Sequence, residues 1–100
     1  MWDKYNAEKG DTESQFNLGM VYKIGFGKAK NFKKAFKWLK LAAKQGHAGA
    51  QFNLGLMYQR GYGVIQNYKE AEKWYKLAAK KGYVEAQEAL IQISDNFSKH

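Results

Sequence analysis

A shift of 36 residues lays this chain on itself. Gln15-Phe16-Asn17-Leu18-Gly19 falls on Gln51-Phe52-Asn53-Leu54-Gly55, Tyr22 on Tyr58, Gly25 and Gly27 on Gly61 and Gly63, and Asn31 on Asn67. Lys37-Trp38 then falls on Lys73-Trp74, Lys40-Leu41-Ala42-Ala43-Lys44 on Lys76-Leu77-Ala78-Ala79-Lys80, and Gly46 on Gly82. More than half the positions agree over a whole unit. The same offset puts Trp2, Lys4, Ala7 and Gly10 under Trp38, Lys40, Ala43 and Gly46, and carries the pattern past Ala86 to Gln87 and Leu90. The 100 residues therefore divide into a half repeat (1–14), two whole repeats (15–50 and 51–86) and a closing half repeat (87–100). A period of this length marks a stacked array, since a single unit cannot bury its own apolar faces.

Each unit reads as two helices. Ala50, Leu54 and Tyr58, with Gly55 beside Leu54, lie at spacings of three and four and make one helical face, predicting a helix over 48–60. Tyr68, Ala71, Trp74, Tyr75, Ala78 and Ala79 do the same, with lysines on the other faces, predicting a helix over 67–81. Applying the offset gives six antiparallel helices near 2–9, 12–24, 31–45, 48–60, 67–81 and 84–95, and no strand. Asn31 and Asn67 stand where a side chain caps a helix start, and Glu70 is placed to complete a capping box with Asn67. Gly46 and Gly82 follow the last apolar positions, where a left-handed backbone closes a helix. Gly25-Phe26-Gly27 and Gly61-Tyr62-Gly63 read as turns whose aromatic packs between units. A phosphate cradle would need the longer Gly-x-x-x-x-Gly-Lys-Ser/Thr pattern or a strand before the glycines. The expected core is Leu18, Tyr22, Trp38, Ala42, Leu54, Tyr58, Trp74 and Ala78.

The chemistry for catalysis is thin. There is no cysteine, so no disulfide, redox centre or thiolate metal site, and histidine occurs only as His47, read as a loop residue, and His100. No carboxylate pair recurs in both units, which points to solvated surface and away from general acid–base work. No catalytic residue, cofactor, metal or small-molecule substrate is expected. Seventeen Lys plus Arg against nine Asp plus Glu leave a net charge of +8, which raises nucleic acid, an anionic surface or an acidic protein as partners without choosing among them. No apolar run is long enough to span a bilayer, no signal peptide opens the chain, and a cytoplasmic location is the expectation.

A unit of Ala-x-x-x-Leu-Gly-x-x-Tyr-x-x-Gly-x-Gly, followed by a cap, an aromatic, Ala-x-x-Trp-Tyr and Ala-Ala-x-x-Gly, resembles the Sel-one-like repeat (SLR) family, a branch of the tetratricopeptide-type helical hairpins. The second unit carries the pattern at Ala50, Leu54, Gly55, Tyr58, Gly61, Gly63, Val64, Tyr68, Ala71, Trp74, Tyr75, Ala78, Ala79 and Gly82. The first departs at Lys28, Phe32 and Leu39, and in the last half repeat Ile91 and Ser94 replace Gly and Tyr, which reads as a capping helix. The resemblance implies an all-α, right-handed α-α superhelix that scaffolds protein complexes and has no catalytic role of its own.

In such a solenoid the first helix of each unit lines the concave side. The positions left over by its core face are Phe16, Met20 and Lys23 in the first unit and Phe52, Leu56, Gln59 and Arg60 in the second. Apolar anchors flanked by cations suit a protein or peptide segment with apolar and acidic residues. The competing reading puts Phe16 and Phe52 in the core between units. Glu85, Glu88 and Gln92, the equivalents on the last helix, read as a solubilising end face. The alternative function is polyanion binding through a convex stripe formed by Lys33, Lys37, Lys40 and Lys44 and repeated on the second unit. Exposed solenoid ends also leave room for self-association.

Overall fold

The computed structural model describes residues 2–25 and 30–98, with side chains described over 4–25 and 30–95. Six helices follow one another: α1 (Trp2–Glu8), α2 (Thr12–Ile24), α3 (Phe32–Lys44), α4 (Ala48–Arg60), α5 (Tyr68–Lys80) and α6 (Val84–Ser98), with no strand among the described residues. Successive helices pack against each other, and the result is a solenoid 45 × 27 × 17 Å in extent. The helices α2, α4 and α6 form one layer, and α1, α3 and α5 the other.

Helices α2 and α4 span the expected residues. Helices α3 and α5 begin one residue later, because Asn31 and Asn67 are extended and act as caps, accepting from the backbone N–H of Lys34 (3.0 Å) and Glu70 (3.1 Å). The capping box is not formed. The backbone N–H of Asn67, which Glu70 would have to engage, donates instead to the Tyr58 carbonyl (2.8 Å), and that of Asn31 donates to the Tyr22 carbonyl (2.9 Å). Each asparagine thus starts one helix with its side chain and ties it to the preceding helix with its backbone. A second repeated bond works in the other direction: Gln15, Gln51 and Gln87 donate through their side-chain amides to the carbonyls of Ala7, Ala43 and Ala79, satisfying the ends of α1, α3 and α5.

All eight expected core residues are buried. Close approach of the paired helices depends on glycine. A Cβ added at Gly19 would fall 2.7 Å from Leu39 Cγ, and one at Gly55 would fall 2.6 Å from Cδ1 and Cε1 of Tyr75. The turn at Gly61-Tyr62-Gly63 has both glycines left-handed, and Tyr62 stacks on Phe32 of the preceding unit with centroids 4.6 Å apart. Its counterpart at Phe26, Gly27 and Lys28 lies outside the described residues, as does His100.

Candidate functional site

Polar contacts join α2 to α4. Lys23 Nζ on α2 donates to Asn53 Oδ1 on α4 (2.7 Å), and Asn53 Nδ2 donates back to the Gly49 carbonyl (2.8 Å). His47 is not a free loop residue. It is the N-cap of α4: its Nδ1 accepts from the Ala50 N–H (3.0 Å), so Nε2 carries the hydrogen and donates to Glu13 Oε2 of α2 (2.9 Å).

Phe16, Met20, Phe52 and Leu56 are half-buried and pack against the edge of the core. Phe16 stacks on the His47 ring at 4.3 Å, while Phe52 lies against Tyr75 (5.8 Å) and stacks on Tyr83 (5.3 Å). Both phenylalanines thus pack against the core between units, as the competing reading expects, while remaining partly exposed. Between α4 and α6, Phe52, Leu56, Gln59 and Arg60 face Glu85, Glu88 and Gln92 across an open cleft of about 280 Å³. Four of the seven expected residues therefore share one cavity. Phe16, Met20 and Lys23 lie on α2 and do not line it. Gln59 is engaged, its Oε1 accepting from the Tyr75 hydroxyl (2.6 Å).

The acidic wall is what sequence reasoning missed. Glu88 and Gln92 occupy the places that Phe52 and Leu56 hold one unit earlier, and the repeat offset already carried that information. Reading α6 as a polar end face hid the consequence, which is that its acids share a cavity with the apolar anchors of α4.

The electrostatics of the cleft are uneven. Burial pushes the Lys23 ammonium below its ordinary pKa, and the positive charge of Arg60 pushes it further the same way. Among the described residues no carboxylate comes within 4.0 Å of Lys23 or Arg60, and no basic group comes within that distance of Glu85 or Glu88. Burial raises the Tyr83 phenol, and the Glu85 charge adds to it. Tyr75 is pushed up to about 12 by burial, with Arg60 opposing.

A second cleft, of about 310 Å³, is lined by Lys4, Glu8, Tyr22, Lys34, Lys37 and Trp38. Here Lys34 lies over Tyr22 (5.4 Å) and Lys37 over Trp38 (4.9 Å), and in the next unit Lys73 lies over Trp74 (5.3 Å). Both indoles are only 7% exposed, so their faces are committed to the core and to lysine stems rather than to stacking on bases. Among the described residues no three His, Asp or Glu side chains are grouped to hold a metal ion, and no helix is long and apolar enough to cross a membrane.

The sequence pattern of the Sel1 repeat matches residues 12–47 and 48–83. A crystal structure of a Sel1 repeat protein from Oxalobacter formigenes is similar at 35% identity and a TM-score of 0.88, covering 91% of this chain and 68% of that one. That of c5321, a protective antigen present in uropathogenic Escherichia coli strains and displaying an SLR fold, is similar at 42% identity and a TM-score of 0.84. In that case 89% of this chain is covered, but only 19% of the antigen's chain. No curated protein matches.

Proposed function

This chain belongs to the Sel1 repeat family, whose repeats commonly serve as protein-interaction scaffolds, and from that membership we propose that it is a non-catalytic adaptor holding a segment of another protein on the α2–α4–α6 surface. The observation that carries the reading is the cleft between α4 and α6. Two apolar side chains, Phe52 and Leu56, stay half-exposed there beside an arginine that has no carboxylate partner among the described residues. Apolar area left open at the centre of a concave face, with charge at its rim, is the arrangement in which a few anchors dominate affinity. Phe16, Met20 and Lys23 extend the same surface onto α2, Lys23 and Arg60 attract acidic neighbours of the anchor, and Gln59 takes part chiefly by fixing Tyr75 beneath Phe52.

The test is a random-peptide display selection on the full chain, followed by affinity measurements on variants. Leu56→Glu is expected to abolish binding of the selected peptides while the helical circular dichroism persists. Phe52→Ala should cost more than about 2 kcal/mol of binding, and Arg60→Ala should weaken binding mainly at low salt. Binding untouched by Leu56→Glu but lost in Lys37→Glu/Lys73→Glu, and falling by orders of magnitude between about 50 and 200 mM salt, would move the site to the convex lysines.

A further inference from the structure

From the three lysines gathered round the cleft between α1 and α3, we infer a binding site for a phosphate-type dianion. It lies in the other layer from the groove and does not depend on the groove reading. Lys4 and Glu8 of α1 and Lys34, Lys37 and Trp38 of α3 line this cleft of about 310 Å³, and Tyr22 of α2 completes the lining. Two of the three ammonium groups are held by aromatic rings of that lining: Lys34 Nζ lies 5.4 Å from the Tyr22 ring centroid, and Lys37 Nζ 4.9 Å from that of Trp38. Contact of this kind fixes a long side chain that would otherwise sweep through solvent. Among the described residues no carboxylate, Glu8 included, comes within 4.0 Å of Lys4, Lys34 or Lys37.

The second unit shows the same positions with their charge answered from within the chain. Glu70 stands there in place of Lys34, and Lys73 in place of Lys37. Glu70 lies 3.9 Å from Lys73. It is also close to the equivalent of Tyr22, since burial raises the Tyr58 phenol and the Glu70 charge adds to it. Lys37 has no such acid, because the residue three before it is another lysine. Lys34 moreover occupies the first turn of α3, where the helix field favours an acid, as α5 has. An anion bound from outside offsets both repulsions. Three lysines against one glutamate leave the lining with a charge of +2, which a dianion balances and a monoanion does not. A phosphate monoester carries about −1.5 to −2 at pH 7 and has three acceptor oxygens, one for each ammonium. Lysine serves phosphate as a point charge, whereas bidentate carboxylate recognition favours arginine, and no arginine lines this cleft.

The experiment is a nuclear magnetic resonance titration of the isotopically labelled full chain with inorganic phosphate, in about 0.15 M chloride, where exposed charges more than about 8 Å away are largely screened. Saturable shifts are expected at the Trp38 indole N–H and at the amides of α1 and the first turns of α3. Lys34→Glu should weaken binding by about tenfold or more; the residue is exposed and glutamate is what the second unit carries there, so the helical circular dichroism should persist. Lys69→Glu, an equal change of net charge at an exposed position outside the cleft, should alter the affinity by less than about twofold. Glu8→Gln should strengthen it. A peptide carrying phosphoserine, compared with inorganic phosphate and with its unphosphorylated form, separates the sources of the group: tighter binding of the phosphopeptide assigns a modified protein segment, and equal binding of inorganic phosphate assigns a free ion. Shifts that never saturate, or affinities lowered alike by Lys34→Glu and Lys69→Glu, would mean that phosphate answers only to the overall charge of +8, and would overturn the site.

Discussion

Replacing Gly55 with alanine sets two known effects against each other. Alanine is preferred over glycine inside a helix by about 1 kcal/mol, so on propensity alone the variant should be more stable. The tertiary contact opposes this. The new Cβ would lie 2.6 Å from two ring carbons of Tyr75 and 3.2 Å from the Ala71 carbonyl oxygen. The ring has nowhere to go, because Tyr75 is fully buried, its hydroxyl is bonded to Gln59, and Phe52 lies against its face. Nor can a backbone carbonyl rotate away as a flexible side chain would. Overpacking of this kind costs about 1–3 kcal/mol, and with both neighbours fixed the upper part of that range applies. The net expectation is a loss of about 1–2 kcal/mol, read as a fall in Tm of roughly 4–8 °C per kcal/mol for a domain of this size. Thermal and urea denaturation followed by far-ultraviolet circular dichroism measure it. In a Tyr75→Ala background the ring is gone and the penalty of the same substitution should shrink, whereas leucine would not serve, since Leu39 at the equivalent place already meets a Cβ built at Gly19 at 2.7 Å. A useful contrast is Gly82→Ala, where φ is +86° and nothing lies within 4 Å: its cost is conformational and should not change in that background. The reasoning fails if Gly55→Ala melts above the wild type, or if its penalty is the same with and without the Tyr75 ring.

Truncating Trp74 to alanine is expected to cost about 3–5 kcal/mol; that threatens folding outright, and an unchanged urea midpoint would mean that the α5 face is assigned wrongly. Raising the pH should destabilise the protein over a specific window. Tyr75 titrates near 10 when unfolded and is pushed up to about 12 when folded, so between those values the native state holds a proton that the unfolded chain has lost. Its contribution to stability is complete below about pH 10 and lost as pH rises towards 12. Subtracting the phenolate absorbance titration of Tyr75→Phe from that of the wild type should isolate this late-titrating group; a difference curve centred near 10 would refute the burial argument.

The placement of the helices was legible in the sequence because the signals that set it are local. The spacing of Leu54 and Tyr58, the caps at Asn31 and Asn67, and the left-handed glycines at 46 and 82 each act within a few residues, and the 36-residue offset repeats them. Buried Trp38 and Trp74 follow from the same periodicity. Of the cleft, Phe52, Leu56, Gln59 and Arg60 were readable as the positions left over by the core face of α4, whereas their counterparts on α2 do not line it.

What the tertiary structure decided were the pairings between elements. Whether the Asn67 N–H meets Glu70 or the Tyr58 carbonyl depends on how closely α4 approaches, and the inter-helix bond prevails because it satisfies a carbonyl at the end of α4 that would otherwise have no helical partner. His47 gained a role only when α2 brought Glu13 and Phe16 to its ring. Glu85 and Glu88 looked like solubilising charges until α6 was set beside α4, where the same carboxylates border Phe52. A sequence specifies which side chains a helix presents, but the charge of a cleft is the sum over two helices and their separation, and that sum exists only in the packed solenoid.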